Sequence, residues 1–182
     1  MRKTLRVAFW LACLVLYLSG ALLSAGEIHD ACQAGNLEKV KNILKADPEQ
    51  LQAVTAEGKS PLHMATGWGQ KEIVLFLLKE GANINALNNQ GGTAIHVAAS
   101  RNQPECAEIL LDHGADMEAI RSEGSLTPLA IAIFKNNLEI AEFLLNRGAD
   151  LNARVMDGVT ILMASERRAS PAMKTLIKRF IK

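Results

Sequence analysis
Apolar side chains recur along this chain at the three- and four-residue spacing of one helix face. The clearest sets are Ile73, Phe76 and Leu77; Cys106, Ile109 and Leu110; Ile140, Phe143 and Leu144; and Met173, Leu176 and Ile177. That spacing puts each set on one stripe of an amphipathic helix. Ahead of the first three stripes lies a shorter segment with small residues instead: Ala65, Ala98-Ala99 and Ala132. Small side chains let neighbouring helices approach closely, and the longer stripes then fill the space between units. Pro61 and Pro128 predict where two of the short helices start, because a missing N–H costs nothing at a helix's first position. Gly81, Gly114 and Gly148 predict the ends of the long ones, where a left-handed backbone is cheapest for glycine. Convincing strands are absent, so the predicted class is all-α.

The pattern is periodic. Gly81-Ala82-Asn83, Gly114-Ala115-Asp116 and Gly148-Ala149-Asp150 recur at spacings of 33 and 34 residues. Ser60-Pro61-Leu62-His63, Thr93-Ala94-Ile95-His96 and Thr127-Pro128-Leu129-Ala130 precede them, and Thr160-Ile161-Leu162-Met163 is a weaker copy. In period, in the Thr-Pro-Leu-His signature and in the glycine-led turn, residues 27 to 182 resemble the ankyrin repeat. The resemblance implies a solenoid of helix-turn-helix units with projecting finger turns. Three full repeats are expected at about 57–86, 90–119 and 124–153, with partial capping repeats at about 27–56 and 157–182. Asn102 and Asn136 stand where the family has glycine between its helices, which asparagine tolerates. One extra residue between Ile120 and Leu126 predicts an irregular finger.

The first 26 residues break the pattern. Arg2, Lys3 and Arg6 precede an uncharged apolar run from Val7 to Leu23, then the small residues Ser24-Ala25-Gly26. That order is the order of a secretory signal peptide, here with cleavage after Gly26; an uncleaved membrane anchor is the alternative. Cys13 does not make it a lipoprotein signal, because Trp10-Leu11-Ala12 before it lacks the aliphatic residue required. The predicted location is periplasmic or secreted, and no membrane contact is expected once the segment is removed.

Composition then excludes several classes. At 49% hydrophobic the chain is too apolar for disorder, and a net charge of +1 gives no nucleic-acid signature. Losing three of 20 basic residues with the leader leaves 17 against 19 acidic ones, a formal −2. Cys32 and Cys106 sit where small buried apolar residues belong and are read as inert thiols. His63 and His96 lie one repeat apart, with His29 in the matching place of the first unit. Their structural reading is a hydrogen bond to a neighbouring turn, as the family's signature histidine makes; a metal or hydrolytic site on the histidine line is the distant alternative. His113 belongs to a surface turn with no visible partner. Phosphate loops and nucleophile elbows are absent from the sequence, and neither catalytic residues, metal nor cofactor is expected.

A binding surface is the remaining expectation. The resemblance implies contacts from the exposed ends of first helices and from the fingers, along the concave side. Carried over, this gives Gln33, Ala34, Gly67, Trp68, Ser100, Arg101, Phe134, Lys135, Arg167 and Arg168 on the helices, and Glu57, Lys59, Asn89, Gln90, Arg121, Glu123, Met156 and Asp157 on the fingers. Aromatic and arginine side chains dominate interface energetics. The expected partner is another protein with an acidic and partly apolar surface, bound by a monomer. An exported effector that binds a host protein is the second reading. Phe143, on an inward stripe, is expected in the core, and Phe134 at an exposed helix end.

Overall fold
The computed structural model describes residues 26–155 and 158–181. The leader, the proposed cleavage site's Ser24 and Ala25, and the finger residues Met156 and Asp157 lie outside the described residues.

Among the described residues ten α-helices form five pairs: α1 Glu27–Ala34 with α2 Leu37–Ala46, α3 Pro61–Gly67 with α4 Lys71–Lys79, α5 Ala94–Arg101 with α6 Pro104–Asp112, α7 Pro128–Phe134 with α8 Leu138–Asn146, and α9 Ile161–Arg168 with α10 Pro171–Lys178. Connections of two or three residues make each pair antiparallel. The first helices stack in one row, α1 to α3 to α5 to α7 to α9, and the second helices in another. The result is an all-α repeat solenoid whose described residues contain no named strand, only the isolated bridges Arg121–Leu126 and Arg154–Thr160.

Local sequence accounts for the helix ends. The Ser60 hydroxyl accepts from His63 N–H at 3.4 Å, and Thr127, Thr160 and Ser170 hydroxyls cap α7, α9 and α10 in the same way at 3.2–3.3 Å. Gly81, Gly114 and Gly148 take φ of 89°, 89° and 90° just beyond the second helices, as expected. Asn102 and Asn136 turn at φ 54° and 56°, in left-handed backbone. The core is aliphatic and small: Ile73, Leu77, Leu110, Leu129, Ile140, Leu144 and Met173 are fully buried, with Ala65, Ala98, Ala99 and Ala132 between helices. In the last unit Met173, Leu176 and Ile177 point inward while Phe180 is only half-buried.

The fingers close through backbone bonds. Thr55 N–H donates to Lys59 O and Asn88 N–H to Gly92 O, but Arg121 N–H reaches Leu126 O, one residue further on. The expected extra residue is absorbed there by Gly124 at φ 81° and Ser125 at φ 47°.

The histidines hold successive units in register. His63 Nδ1 accepts the backbone N–H of Ser60 at 3.2 Å, so the proton sits on Nε2, which donates to Gly92 O of the next finger at 3.1 Å. His96 repeats this with Thr93 N–H at 3.1 Å, and its Nε2 reaches Ala119 O at 3.0 Å and Leu126 O at 3.2 Å. His29 Nε2 meets Lys59 O at 3.0 Å. His113, expected to lack a partner, bonds the carbonyl of Ile109 through Nδ1 at 2.8 Å, folding back onto the last turn of its own helix.

Burial is the main cause that lowers the pKa of both His63 and His96 from the ordinary 6.5. The neutral ring is therefore the folded form, and below 6.5 the unfolded chain takes up protons that the folded chain refuses. Their contribution is complete above 6.5 and is lost as pH falls through the depressed folded values. Thermal melts should show Tm falling from about pH 7 to about pH 5, with a shallower fall in His96→Ala. That variant should also lose about 1–3 kcal/mol at neutral pH, measured by urea unfolding, because it strands the backbone groups the ring satisfies. An unchanged midpoint would mean that water replaces the ring without cost.

Candidate protein-binding cleft
A cleft of about 340 Å³ opens between the fingers and the first helices α3 and α5. Its walls are set by the units around it. Trp68 caps the C-terminus of α3, its N–H bonded to Met64 O at 3.2 Å, and leaves half of its surface in solvent. Arg101 is the last residue of α5 and is exposed. A side chain on Gly67 would come within 3.0 Å of Val97 Cγ1 and 3.9 Å of Arg101 Cγ. The missing Cβ is what lets α5 come up against α3 there.

The finger side is equally fixed. Asn88 Oδ1 accepts the N–H groups of Gln90 and Gly92, each at 3.0 Å, which freezes that turn. Arg121 Nε donates to Glu123 O at 3.0 Å, and its Cδ lies 3.3 Å from where a Gly92 side chain would begin. The arginine thus lies across the preceding finger.

Eight of the residues expected at a partner surface line this one cleft: Gln33, Lys59, Gly67, Trp68, Gln90, Ser100, Arg101 and Arg121. Phe134, Lys135, Arg167 and Arg168 do not; they belong to the following units. Met64 and Val97 also line it and were missed. Each directly follows a signature histidine, and that shared position was the available signal. His63 and His96 form part of the wall, but their ring nitrogens are already engaged with backbone.

The electrostatics are one-sided. Lys59, Arg101 and Arg121 line the cleft, and no carboxylate does. Among the described residues the ion pairs are Lys41–Glu38, Arg147 with Glu108 and Asp112, and Arg179–Glu142, none of them in the cleft. A pocket lined by three cations and no carboxylate, beside an open indole, favours an anionic ligand with an apolar part.

Other chemistry finds no support. Cys32 and Cys106 are free and buried, and burial pushes their thiols up to about 12 and about 11, far from nucleophilic range. Groups of three or more metal-ligating side chains do not occur among the described residues. Nor is any helix there long and apolar enough to cross a membrane.

Two aromatic expectations need correction. Phe134 is half-buried and packs against the core, with the Arg168 guanidinium 5.8 Å from its ring centroid. Phe143, expected deep inside, is also only half-buried, with Arg147 at 5.0 Å over its ring. Phe134 ends its helix and Phe143 sits within its own, and in each case an arginine lies over a ring that the stacked units leave partly uncovered. Phe134→Ala should therefore cost about 2 kcal/mol, less than the about 3–5 of a fully buried phenylalanine. Trp68→Ala should stay within about 0.5 kcal/mol. Urea midpoints of the two single variants check this, and equal losses would place Trp68 in the packing.

Comparison with known proteins agrees with the geometry. A family model described as ankyrin repeats (3 copies) matches residues 28–121 and 90–155. The ankyrin repeat and SAM domain-containing protein 6 of Danio rerio is 36% identical over 59 residues, which is 32% of this chain and 8% of that protein. The likeness thus spans a small part of that relative.

Proposed function
This chain belongs to the ankyrin-repeat family, a protein–protein interaction module, and we propose that it acts as an exported, non-catalytic binder that docks another protein on its concave side. The observation that carries this reading is the cleft's set of three cations without a carboxylate, Lys59, Arg101 and Arg121, around the half-exposed Trp68. The partner surface that fits it is acidic and partly apolar. Lys135, Arg167 and exposed parts of the later units extend the same line, while Arg168 is partly occupied by Phe134. Such charges act mainly on encounter rate and specificity, whereas the indole supplies contact area.

Export rests on the leader's order of basic, apolar and small residues, and it places this module in the periplasm or outside the cell. The mature protein would begin at Glu27 and act as a monomer. Intact mass of protein recovered from the native compartment is expected to match residues 27–182, and a full-length membrane-bound species would show an anchor instead.

The binding reading is tested by affinity capture from the native compartment, followed by titration of the captured partner. Lys59→Glu with Arg101→Glu should weaken binding by about 2 kcal/mol at low salt and less at high salt, with an unchanged melt. Trp68→Ala should weaken it at all salt concentrations. Normal binding by both variants would move the partner to another face.

A further inference from the structure
Thr55, Asn88 and Arg121 open successive fingers and stand 33 residues apart. In the first two a short side-chain oxygen holds its own turn. Thr55 Oγ1 accepts the N–H groups of Glu57 and Lys59 at 3.2 and 3.3 Å, and Asn88 Oδ1 those of Gln90 and Gly92, each at 3.0 Å. Arginine has donors and no acceptor, so it cannot close a turn this way. The third finger instead takes up an extra residue, with Gly124 and Ser125 in left-handed backbone, and the guanidinium Nε donates to Glu123 O at 3.0 Å. That bond holds the side chain, while its terminal Nη groups meet no acceptor among the described residues.

The three cations of the cleft are therefore not equivalent. Lys59 acts on Glu57, whose exposed carboxyl is held below its ordinary 4.5 by the Thr55 hydroxyl and also by the lysine charge. Arg101 ends α5 in solvent, with no hydrogen bond to its guanidinium. Arg121 is half-buried and held by a hydrogen bond, with donors to spare. The acids near it in sequence do not use those donors. Glu118 accepts the N–H of Asp150 at 2.9 Å, Glu123 offers a backbone carbonyl, and neither carboxylate lines the cleft. A guanidinium fork matches the two oxygens of a carboxylate, and one already held loses little freedom on binding. The helix side of the same cleft is apolar, with Met64, Val97 and the half-exposed Trp68. We propose that Arg121 selects the partner: its Nη groups take one Asp or Glu carboxylate of the partner protein, whose apolar neighbour lies on Trp68. This rests on the reading of the cleft as a protein-binding site and adds the residue that sets its specificity.

The test titrates the isotope-labelled full chain with two capped peptides, acetyl-Leu-Glu-Leu-amide and its Gln counterpart, which differ by one charge. Nuclear magnetic resonance follows the Arg121 Nε–H, the Trp68 indole N–H and the His96 ring. The Glu peptide should bind at least about tenfold tighter and shift both N–H signals. Arg121→Gln should reduce that preference to about one, and Arg121→Lys, which keeps the charge without the fork, to about threefold. Arg101→Gln should leave it at about fivefold or more.

His96 gives a readout that a structural role would not move. Its pKa is lowered from 6.5 chiefly by burial and further by Arg121, with the Leu126 and Ala119 carbonyls and Asp116 acting the other way. A carboxylate on Arg121 offsets that charge, so the Glu peptide should raise the His96 titration and the Gln peptide should not. A Glu preference that survives Arg121→Gln, an undiminished one in Arg121→Lys, or a His96 titration that stays in place would overturn the proposal. So would inorganic phosphate that shifts the Arg121 signal as strongly as the Glu peptide does with the indole unmoved, because the site would then take free anions. If neither peptide shifts Arg121 while Lys59→Glu with Arg101→Glu still weakens the captured partner, the cleft reading stands and the anchor falls. If Arg121 shows its Glu preference while the captured partner ignores every cleft variant, the carboxylate anchor stands and the docking of that protein there falls.

Discussion
A pair of short helices cannot bury its own apolar side, and every other feature of this molecule follows from that. The helices run seven to ten residues, too short to persist alone in water. Their apolar stripes disappear only against the next unit: Ile73 and Leu77 share one core cluster with Cys106 and Leu110, and Ile140 and Leu144 share another with Ala98, Ala99 and Ala107 of the preceding unit. Stacking must then be kept in register, and polar groups between units do this. Histidine rings tie the first three of the first helices to the following finger at 3.0–3.2 Å. Because Nδ1 of His63 and His96 accepts a backbone N–H, the Nε2 proton is committed to the neighbouring carbonyl.

Where the histidine is lost, other contacts take over. Ala130 and Met163 cannot return the reciprocal bond to Thr127 and Thr160, so the later helices keep only half of the cap. In that half of the array the left-handed Asn102 and Asn136, and Asn137 beside them, add bonds between units. Asn102 Oδ1 accepts Ile140 N–H at 3.2 Å, Asn137 Nδ2 donates to Ala99 O at 2.8 Å, and Asn136 Oδ1 accepts Ser170 N–H at 2.8 Å. Earlier in the chain Gly35 and Gly69 leave room for Gln70 and Gln103, whose amides would lie 2.6 and 2.5 Å from any added Cβ. The array thus exchanges glycine clearance for asparagine bonding as it proceeds. The exposed pairs of Arg147 and Arg179 reach back to Glu108, Asp112 and Glu142 of the preceding units, but contribute little at such exposure.

The same rigidity gives the cleft its character. Its cations take part in none of the ion pairs among the described residues: Glu57, on the same finger as Lys59, bonds Thr55, Glu118 accepts the backbone N–H of Asp150, and Glu108 pairs with the next unit's arginine. Burial raises the Glu118 carboxyl somewhat, yet the Asp150 N–H it accepts keeps it engaged between units. A nearly neutral chain therefore carries a one-signed recess, which bulk charge conceals.

The sequence by itself determined the period, the helix pairs, the glycine ends, the buried thiols and the structural use of His63 and His96. Each of these is set by spacing of a few residues or by one exact repeat, so it survives without coordinates. The extra residue in the third finger was legible in the same way, from a count between Ile120 and Leu126. Only the tertiary structure decided the depth of individual side chains. Phe134 ends α7 and Phe143 lies within α8, and each is half-buried beneath an arginine, Arg168 of the next unit for the first and Arg147 one turn on in the same unit for the second. Likewise the gathering of Lys59, Trp68, Gln90, Arg101 and Arg121 into one cleft needed the curvature of fingers over α3 and α5, because these residues come from different units. Periodicity fixes which face a residue shares; it does not fix how closely the neighbouring unit covers that face.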